Sequence, residues 1–339
     1  MSSFFSTANL PYIIGEIGFN HNGDPDTAHE MIRQLAEAGA DCAKLQLFRT
    51  DHLLSAHVDQ DVIETFRAHE LSREEYQECL KIANERDIQL AASIFDLDTL
   101  QWYIEETDPP FIKIASGDLT FKRLVTDAGN SEIPVILSVG GGTLKEIKRA
   151  IEWLEPNKET LTLLHCVPRY PADESELHLR RIQTLTDQFD FPVGFSDHSE
   201  SSNAPRIASA LGAVAWERHV TLDSTQKGPE HGFSMEIQEL SKQIPKVKQA
   251  FENKPSESIQ KAETILGEAD IKLTDADRTF RKETRRSLMA EQPIPAGSIL
   301  EEKLIRELRP GTGLPAGRID DCLKLPVPRP VEPLHMIPY

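Results

Sequence analysis

Short runs of apolar and β-branched residues recur along the chain at 12–18, 42–48, 89–95, 111–116, 134–140, 161–167, 192–198 and 213–220. Each is brief and nearly continuous, the pattern of a strand buried on both faces. The intervals carry helical spacing instead. Over 26–38, Ala28, Met31, Ile32, Leu35 and Ala38 fall on one stripe with Gly39 as a stop, and 143–154 repeats the pattern with Leu144, Ile147, Ile151 and Leu154. Eight strand-then-helix units in about 250 residues predict an α/β protein built on a closed (β/α)8 TIM barrel, in preference to an open doubly wound sheet.

The long interval 49–88 is expected to add a loop and a helix near 73–86 on the rim after the second strand. A helix near 235–251 is expected to close a barrel domain spanning 1–252. Residues 253–282 are polar, with few apolar anchors, and are expected to be a linker. From 283 to 339, β-like runs at 287–290 and 298–300 alternate with turn formers. They predict a second domain of roughly 55 residues, near the lower size limit for folding alone.

Polar residues interrupt these strands mostly in their C-terminal halves, the end from which barrel enzymes draw their catalytic groups. They are Glu16, Lys44, Gln46, Lys113, Ser116, Ser138, His165, Ser196, His198, Glu217 and His219. Lys44/Gln46, Ser196/His198 and Glu217/His219 are i,i+2 pairs, so each pair points one way. A single strand lysine is usually an end residue reaching water. Two in one barrel make the positive field that a phosphate or carboxylate needs, and burying both without an anion costs several kcal/mol. His198 and His219, beside Asp197 and Glu217, can converge on one divalent ion such as manganese, iron, cobalt or zinc. His21, after the first strand, is expected to contact substrate, while His165 has core packing as its alternative. Gly117 and Gly140–Gly142 permit close backbone approach to a ligand.

Acidic residues outnumber Lys plus Arg by 55 to 37, a net charge of −18. Nucleic acid and anionic membrane surfaces are therefore poor partners, and an anionic substrate must be drawn by a local cluster of cations. No apolar run approaches the ~18 residues of a membrane span. Residues 1–10 carry no signal-peptide pattern, and the four scattered cysteines form no CxxC pair, so a reducing cytoplasm is expected.

The segments Gly-Glu-Ile-Gly-Phe-Asn-His-Asn-Gly (15–23), Ala-Gly-Ala-Asp-Cys-Ala-Lys-Leu-Gln (38–46) and Ile-Lys-Ile-Ala-Ser-Gly-Asp (112–118) resemble the sialic acid synthase family. So do His-Cys-Val-Pro-Arg-Tyr-Pro (165–171), Gly-Phe-Ser-Asp-His-Ser (194–199), Glu-Arg-His-Val-Thr-Leu-Asp (217–223) and Gly-Pro-Glu-His (228–231). That family includes the N-acetylneuraminate, legionaminate and pseudaminate synthases. The segments Arg285-Arg-Ser-Leu and Arg309-Pro-Gly-Thr-Gly resemble its C-terminal antifreeze-like (SAF) domain, here shortened and ending in a proline-rich tail.

The resemblance implies condensation of phosphoenolpyruvate with an N-acetylated amino sugar of the N-acetylmannosamine type, giving a nine-carbon 2-keto acid and phosphate by C–O cleavage. It assigns Lys44, Lys113, Ser116, Ser138 and Ser196 to phosphoenolpyruvate. Gln46, Tyr170, Glu230 and Arg309 go to the sugar, and Glu16, Asp118 and Glu217 to catalysis. His198 and His219 would hold a divalent metal, Mn2+ foremost, with Mg2+ or Co2+ as alternatives. It further implies a domain-swapped homodimer in which Arg309 caps the neighbouring barrel. Three positions depart from the family pattern: Asp118 replaces glutamate, Glu230 replaces aspartate, and Pro168 replaces a small polar residue, with Arg169 as a nearby compensating cation. Two alternatives are another phosphoenolpyruvate–aldose condensing barrel and a catalytically impaired sugar-binding homologue.

Overall fold

The computed structural model describes residues 10–254 and 262–338. Nearly all of the N-terminal stretch in which no signal peptide is expected, and part of the expected linker, lie outside these described residues. Eight parallel strands close into a barrel: β1 (Tyr12–Glu16), β2 (Cys42–Leu47), β3 (Gln89–Ile94), β4 (Ile112–Ile114), β5 (Val135–Ser138), β6 (Thr162–Cys166), β7 (Val193–Asp197) and β8 (Ala215–Thr221), with β1 paired to β8. A short β9 (Met235–Glu236) extends β8 pairing. The TIM barrel read from the periodicity is the fold of the chain. The fourth strand is shorter than its apolar run, because Ser116–Asp118 leave the ladder in a single 3-10 turn.

Alternation along each strand divides the barrel interior into two layers. Ile14, Cys42, Ala91, Phe111, Ile136, Leu164 and Ala215 pack together as an apolar plug. Two residues further along most of these strands, the inward position becomes polar: Glu16, Lys44, Ser93, Lys113, Ser138 and Glu217. Outward residues such as Ile13, Leu45, Ala92 and Ile114 instead join the layer between sheet and helices. The period-two pattern thus places a dry base under a polar upper end.

The surrounding helices are α1 (Pro25–Ala38), α2 (Thr50–Leu53), α3 (Gln60–Ala68), α4 (Arg73–Glu85), α5 (Leu97–Glu106), α6 (Lys122–Gly129), α7 (Leu144–Trp153), α8 (Arg180–Phe189), α9 (Ala204–Ala210) and α10 (Ile237–Asn253). In α1, the stripe Ala28, Met31, Ile32 and Leu35 is buried, and Gly39 ends the helix at a φ of 81°. The long second interval holds α2, α3 and α4. Among the described residues, no helix is long and apolar enough to cross a membrane.

The polar stretch after the barrel contains more structure than its composition suggests. Residues Glu263–Leu266 form α11, with Ile265 and Leu266 buried, and Asp275–Thr284 form α12. Few apolar side chains hold α12. A Thr274/Asp277 capping box starts it, and Arg281 makes a two-pronged ion pair with Glu146 at 2.7 Å while donating to the Gly141 carbonyl. Hydrophobic periodicity is blind to a helix anchored by charge.

Residues 287–338 form a small unit around antiparallel strands β10 (Ser287–Ala290) and β11 (Ile305–Leu308). It occupies the place at which the resemblance expects the antifreeze-like domain. Its proline-rich tail is bridged to the earlier chain at Ile299/Pro326, Ile294/Val331 and Met289/Met336. The unit docks on its own barrel. Arg309 N donates to Leu53 O and Ser55 N to Arg309 O, both at 2.9 Å, and Arg123 Nε donates to Glu307 at 2.7 Å.

Candidate active site

The polar upper layer floors a cavity of about 760 Å³ at the C-terminal mouth of the barrel, large enough for two small substrates. Strand register brings its charges together. Glu16 lies opposite Lys44 on one side and His219 on the other, Lys113 opposite Ser93, and Ser196 opposite Glu217. Lys44 is ion-paired with Glu16. Its Nζ also donates to Ser93 Oγ at 2.8 Å and stands 3.6 Å from Glu217 Oε2. Lys113 Nζ stands 3.6 Å from Glu217 Oε1, which accepts from Ser196 Oγ at 2.9 Å. Gln46 Nε2 donates to Glu16 Oε1 at 2.9 Å and so orients that carboxylate.

The two lysines are not equivalent. Burial opposes charge on Lys44, but Glu16 and Glu217 outweigh it and hold the ammonium above its ordinary value. For Lys113 burial prevails over Glu217, and its pKa is lowered. Burial would raise Glu217, yet Lys113, Lys44 and the Ser196 hydroxyl hold its carboxyl at about 2. Among the described residues Lys113 has one carboxylate within 4 Å, Glu217, where Lys44 has two. Ser138, which lines the same cavity, is buried with no hydrogen-bond partner for its hydroxyl among the described residues. Ser116 Oγ, also on the lining, accepts from Gly140 N at 3.0 Å. An anion would complete both Lys113 and Ser138.

His198 and His219 stand on the same lining with ring centroids 5.6 Å apart. His198 Nδ1 contacts the Val167 carbonyl at 2.8 Å, which requires an N–H there and leaves Nε2 with a lone pair. His219 Nδ1 faces Glu230 Oε2 at 3.2 Å. Burial and the neighbouring His219 lower His198 to about 3, whereas Glu230 overcomes burial and raises His219. Each Nδ1 thus faces an oxygen, and His198 Nε2 has Ser196 Oγ at 3.5 Å; metal-binding histidines are usually oriented in this way through the nitrogen that does not bind the metal. The donor chemistry fits a divalent ion held by two imidazoles. Among the described residues no group of three His, Cys, Asp or Glu has ligand spacing, so water and substrate would fill the remaining positions. Tyr170 packs on His198 at 4.0 Å between centroids. Glu230 is fixed by the Phe19 N–H at 2.8 Å.

Arg309 lines the cavity from its own chain, where the resemblance expects the arginine of a partner subunit. Its Nε is buried without a partner, and Nη2 lies 3.5 Å from Asp118. Asp118 is absent from the cavity lining, fully buried, with both oxygens turned toward arginines. Pro168 and Arg169 both line the mouth, and Arg169 Nη1 donates to Glu176 at 2.5 Å. His21 is buried off the lining, where its Nδ1 accepts from Gly23 N at 3.1 Å. His165 bonds the Leu177 carbonyl at 2.7 Å and stacks on Phe195, the core alternative.

Several lining residues escape the strand-polarity argument. Ser93 was legible, since it stands on the inward column two residues after Ala91. Phe19 and Phe233 resemble ordinary core residues in sequence. Thr279, Phe280 and Glu283 come from α12, inside the stretch that composition reads as linker.

Comparison with known proteins agrees with this geometry. A family model described as the NeuB family matches residues 31–258. The N,N'-diacetyllegionaminic acid synthase of Legionella pneumophila is 31% identical over 92% of this chain and 89% of its own length. The crystal structure of a spore coat polysaccharide biosynthesis protein from Bacillus subtilis superposes with a TM-score of 0.86 at 27% identity, covering 97% of this chain and 94% of that one. An N-acetylneuraminic acid synthetase from Leptospira borgpetersenii, solved with citrate, gives a TM-score of 0.69 at 30% identity over 80% of this chain and 90% of that one.

Proposed function

We propose, from the premise that this chain belongs to the NeuB family, that it is a nonulosonate synthase. It condenses phosphoenolpyruvate with an open-chain 2-acetamido hexose, giving a nine-carbon 2-keto acid and phosphate. The observation that carries this reading is the cavity floor, where two buried lysines, Lys44 and Lys113, line the same cavity as the unpartnered hydroxyl of Ser138. A compact anion with phosphate and carboxylate groups answers both the lysines and the hydroxyl. The relatives named as legionaminic acid and N-acetylneuraminic acid synthases support the acceptor class.

In this reading Lys44, Lys113, Ser116, Ser138 and Ser196 seat phosphoenolpyruvate. Gln46, Tyr170, Glu230 and Arg309 surround the sugar. Carbon 3 of phosphoenolpyruvate attacks the aldehyde carbon, its enol π pair forms the new C–C bond, and the aldehyde oxygen takes a proton to become a hydroxyl. Carbon 2 is left electron-poor. Glu217, kept ionised by its two lysines, stabilises that charge. Water adds at carbon 2 and gives its proton to Glu16, which Gln46 holds in place. The C2–O bond then breaks, phosphate departs with both bond electrons and takes up the proton of the C2 hydroxyl, and a ketone remains. His198 and His219 would hold a divalent ion, manganese foremost, which when bound polarises the aldehyde as a Lewis acid.

The test is phosphate release from phosphoenolpyruvate with manganese and a panel of 2-acetamido hexoses. At least one should give phosphate and 2-keto acid in equal amounts. Turnover only with a sugar phosphate lacking the acetamido group would favour a different phosphoenolpyruvate–aldose synthase. No phosphate release with any sugar of the panel would refute the enzyme.

A further inference from the structure

His198 and His219 stand at the ends of adjacent strands, and each is preceded by a charged residue that faces the other way. Period two turns Ser196, His198, Glu217 and His219 toward the cavity, so Asp197 and Arg218 point into the layer between sheet and helices. Strand register sets these two opposite each other, and their side chains are 0% and 3% exposed. Asp197 is therefore turned away from any ion that the neighbouring imidazole holds. We propose that Arg218 is a positioning residue for the metal site, which grips the backbone around His198, His219 and Phe233 at fixed points, with Asp197 as its counter-ion. The proposal rests on the reading of His198 and His219 as metal ligands, and not on the identity of the sugar.

Arg218 Nη1 donates to the Asp197 carbonyl at 3.1 Å and also to the Ser199 carbonyl, the two residues that flank His198. Its Nη2 donates to the Phe233 carbonyl at 2.8 Å. Because Arg218 directly precedes His219, one guanidinium ties the backbone of each histidine to that of the other. The Phe233 turn follows Glu230, and its ring packs 5.4 Å from His219 and 5.1 Å from Tyr170. Asp197 braces the same segment. Its Oδ1 accepts from the Ser199 N–H at 2.9 Å and the Ser199 hydroxyl at 2.7 Å, and its Oδ2 accepts from Trp216 Nε1 at 3.3 Å. The carboxylate stands 3.8 Å from Arg218 Nη1.

Stability alone does not account for this pair. Arg218 Nε is buried with no hydrogen-bond partner among the described residues, which is costly in a dry layer. Apolar residues of similar volume often replace a buried ion pair without loss. They cannot, however, hold three carbonyls on two segments of chain. A lysine cannot either, since it keeps the charge but presents it at a single nitrogen. Such fixing matters most where the protein supplies few ligands. Among the described residues no third His, Cys, Asp or Glu joins the two imidazoles at ligand spacing. Affinity for the ion then depends on how firmly their separation, 5.6 Å between ring centroids, is set before it binds.

Calorimetric titration of the full chain with Mn2+ alone tests the proposal without any turnover. Arg218→Lys should weaken Mn2+ binding by about ten- to a hundredfold while far-UV circular dichroism is retained. The double variant Asp197→Leu/Arg218→Met guards against simple misfolding, because it strands no charge. It should melt above Arg218→Met, yet bind Mn2+ as weakly as that single variant. Wild-type Mn2+ affinity in either Arg218→Lys or the double variant would overturn the proposal, showing that the layer needs only to be filled. A wild-type chain that binds no Mn2+ would overturn the metal reading of the histidines and this inference with it. A wild-type chain that binds Mn2+ but releases no phosphate with any sugar would refute the synthase reading, and the titrations would still decide the role of Arg218.

Discussion

Replacing Lys113 with methionine separates ligand binding from stability. At 3.6 Å, two unit charges interact by about 4–5 kcal/mol at an effective dielectric of ~20. Burial nevertheless leaves Lys113 with a lowered pKa, so the pair adds little to the empty protein. After Lys113→Met, Glu217 keeps Lys44 at 3.6 Å and Ser196 at 2.9 Å and is not stranded. Stability without ligand should therefore change by no more than about 1 kcal/mol. Binding of phosphoenolpyruvate loses a charge-assisted contact of about 1.5–3 kcal/mol, raising its Kd by ~10–150-fold. Lys44→Met should weaken phosphoenolpyruvate binding too, but it should also destabilise the empty protein. It leaves Glu16 buried without its cation and should cost about 3–5 kcal/mol in stability. Melting with and without phosphoenolpyruvate, together with calorimetric titration, reads both quantities. The reasoning fails if Lys113→Met binds phosphoenolpyruvate like wild type, or destabilises the empty protein more than Lys44→Met.

Three other outcomes follow from the site and its supports. Single alanine substitutions at His198 and His219 should each weaken Mn2+ binding by about a hundredfold or more in calorimetry while far-UV circular dichroism is retained; unchanged Mn2+ affinity would remove them as ligands. Gly18 has a φ of +55°, and a Cβ there would lie 2.1 Å from Glu230 Oε2 and 3.1 Å from His219 Nδ1. Gly18→Ala should raise KM for the sugar more than KM for phosphoenolpyruvate, and equal effects on both would contradict the placement of Glu230 on the sugar side. Burial would raise Glu146, but Arg281 first and then the Thr143 N–H outweigh it and bring it to about 2. Because the folded value is depressed, this contribution is present above the ordinary carboxylate pKa of about 4.5 and fades as pH falls toward 2. Wild type should exceed Glu146→Gln, which keeps the helix cap, by about 1 kcal/mol near neutrality, with the gap closing in acid and shrinking in salt. A gap that ignores pH would contradict the pairing.

The barrel was legible because each strand is buried on both faces and each helix buries one stripe, so periodicity is imposed by the core. The floor of the site was legible for the same reason, since Glu16, Lys44, Lys113 and Glu217 break an apolar rule where breaking it is costly. What sequence reasoning missed obeys other physics. Helix α12 is held by Arg281 and Glu146 rather than by an apolar face, so it carries no periodic signal. Arg286 is one arginine among several charged neighbours in sequence, and only the fold reveals that it is 1% exposed and bound to Asp118. Asp118, Arg169 and His21 have the right chemistry near the right strand ends. Their local partners turn each away from the cavity or occupy it.

The central claim is that the Lys44–Lys113 floor seats phosphoenolpyruvate for attack through carbon 3 and loss of phosphate by C–O cleavage. Its most direct test is turnover of phosphoenolpyruvate carrying 18O in the bridging C2–O–P position, with an accepted 2-acetamido hexose, read by mass spectrometry of the phosphate. The account predicts that the label leaves in the phosphate, one equivalent per 2-keto acid formed. Unlabelled phosphate, with the 18O retained in a keto product or in pyruvate, would place the cleavage at the P–O bond and contradict it.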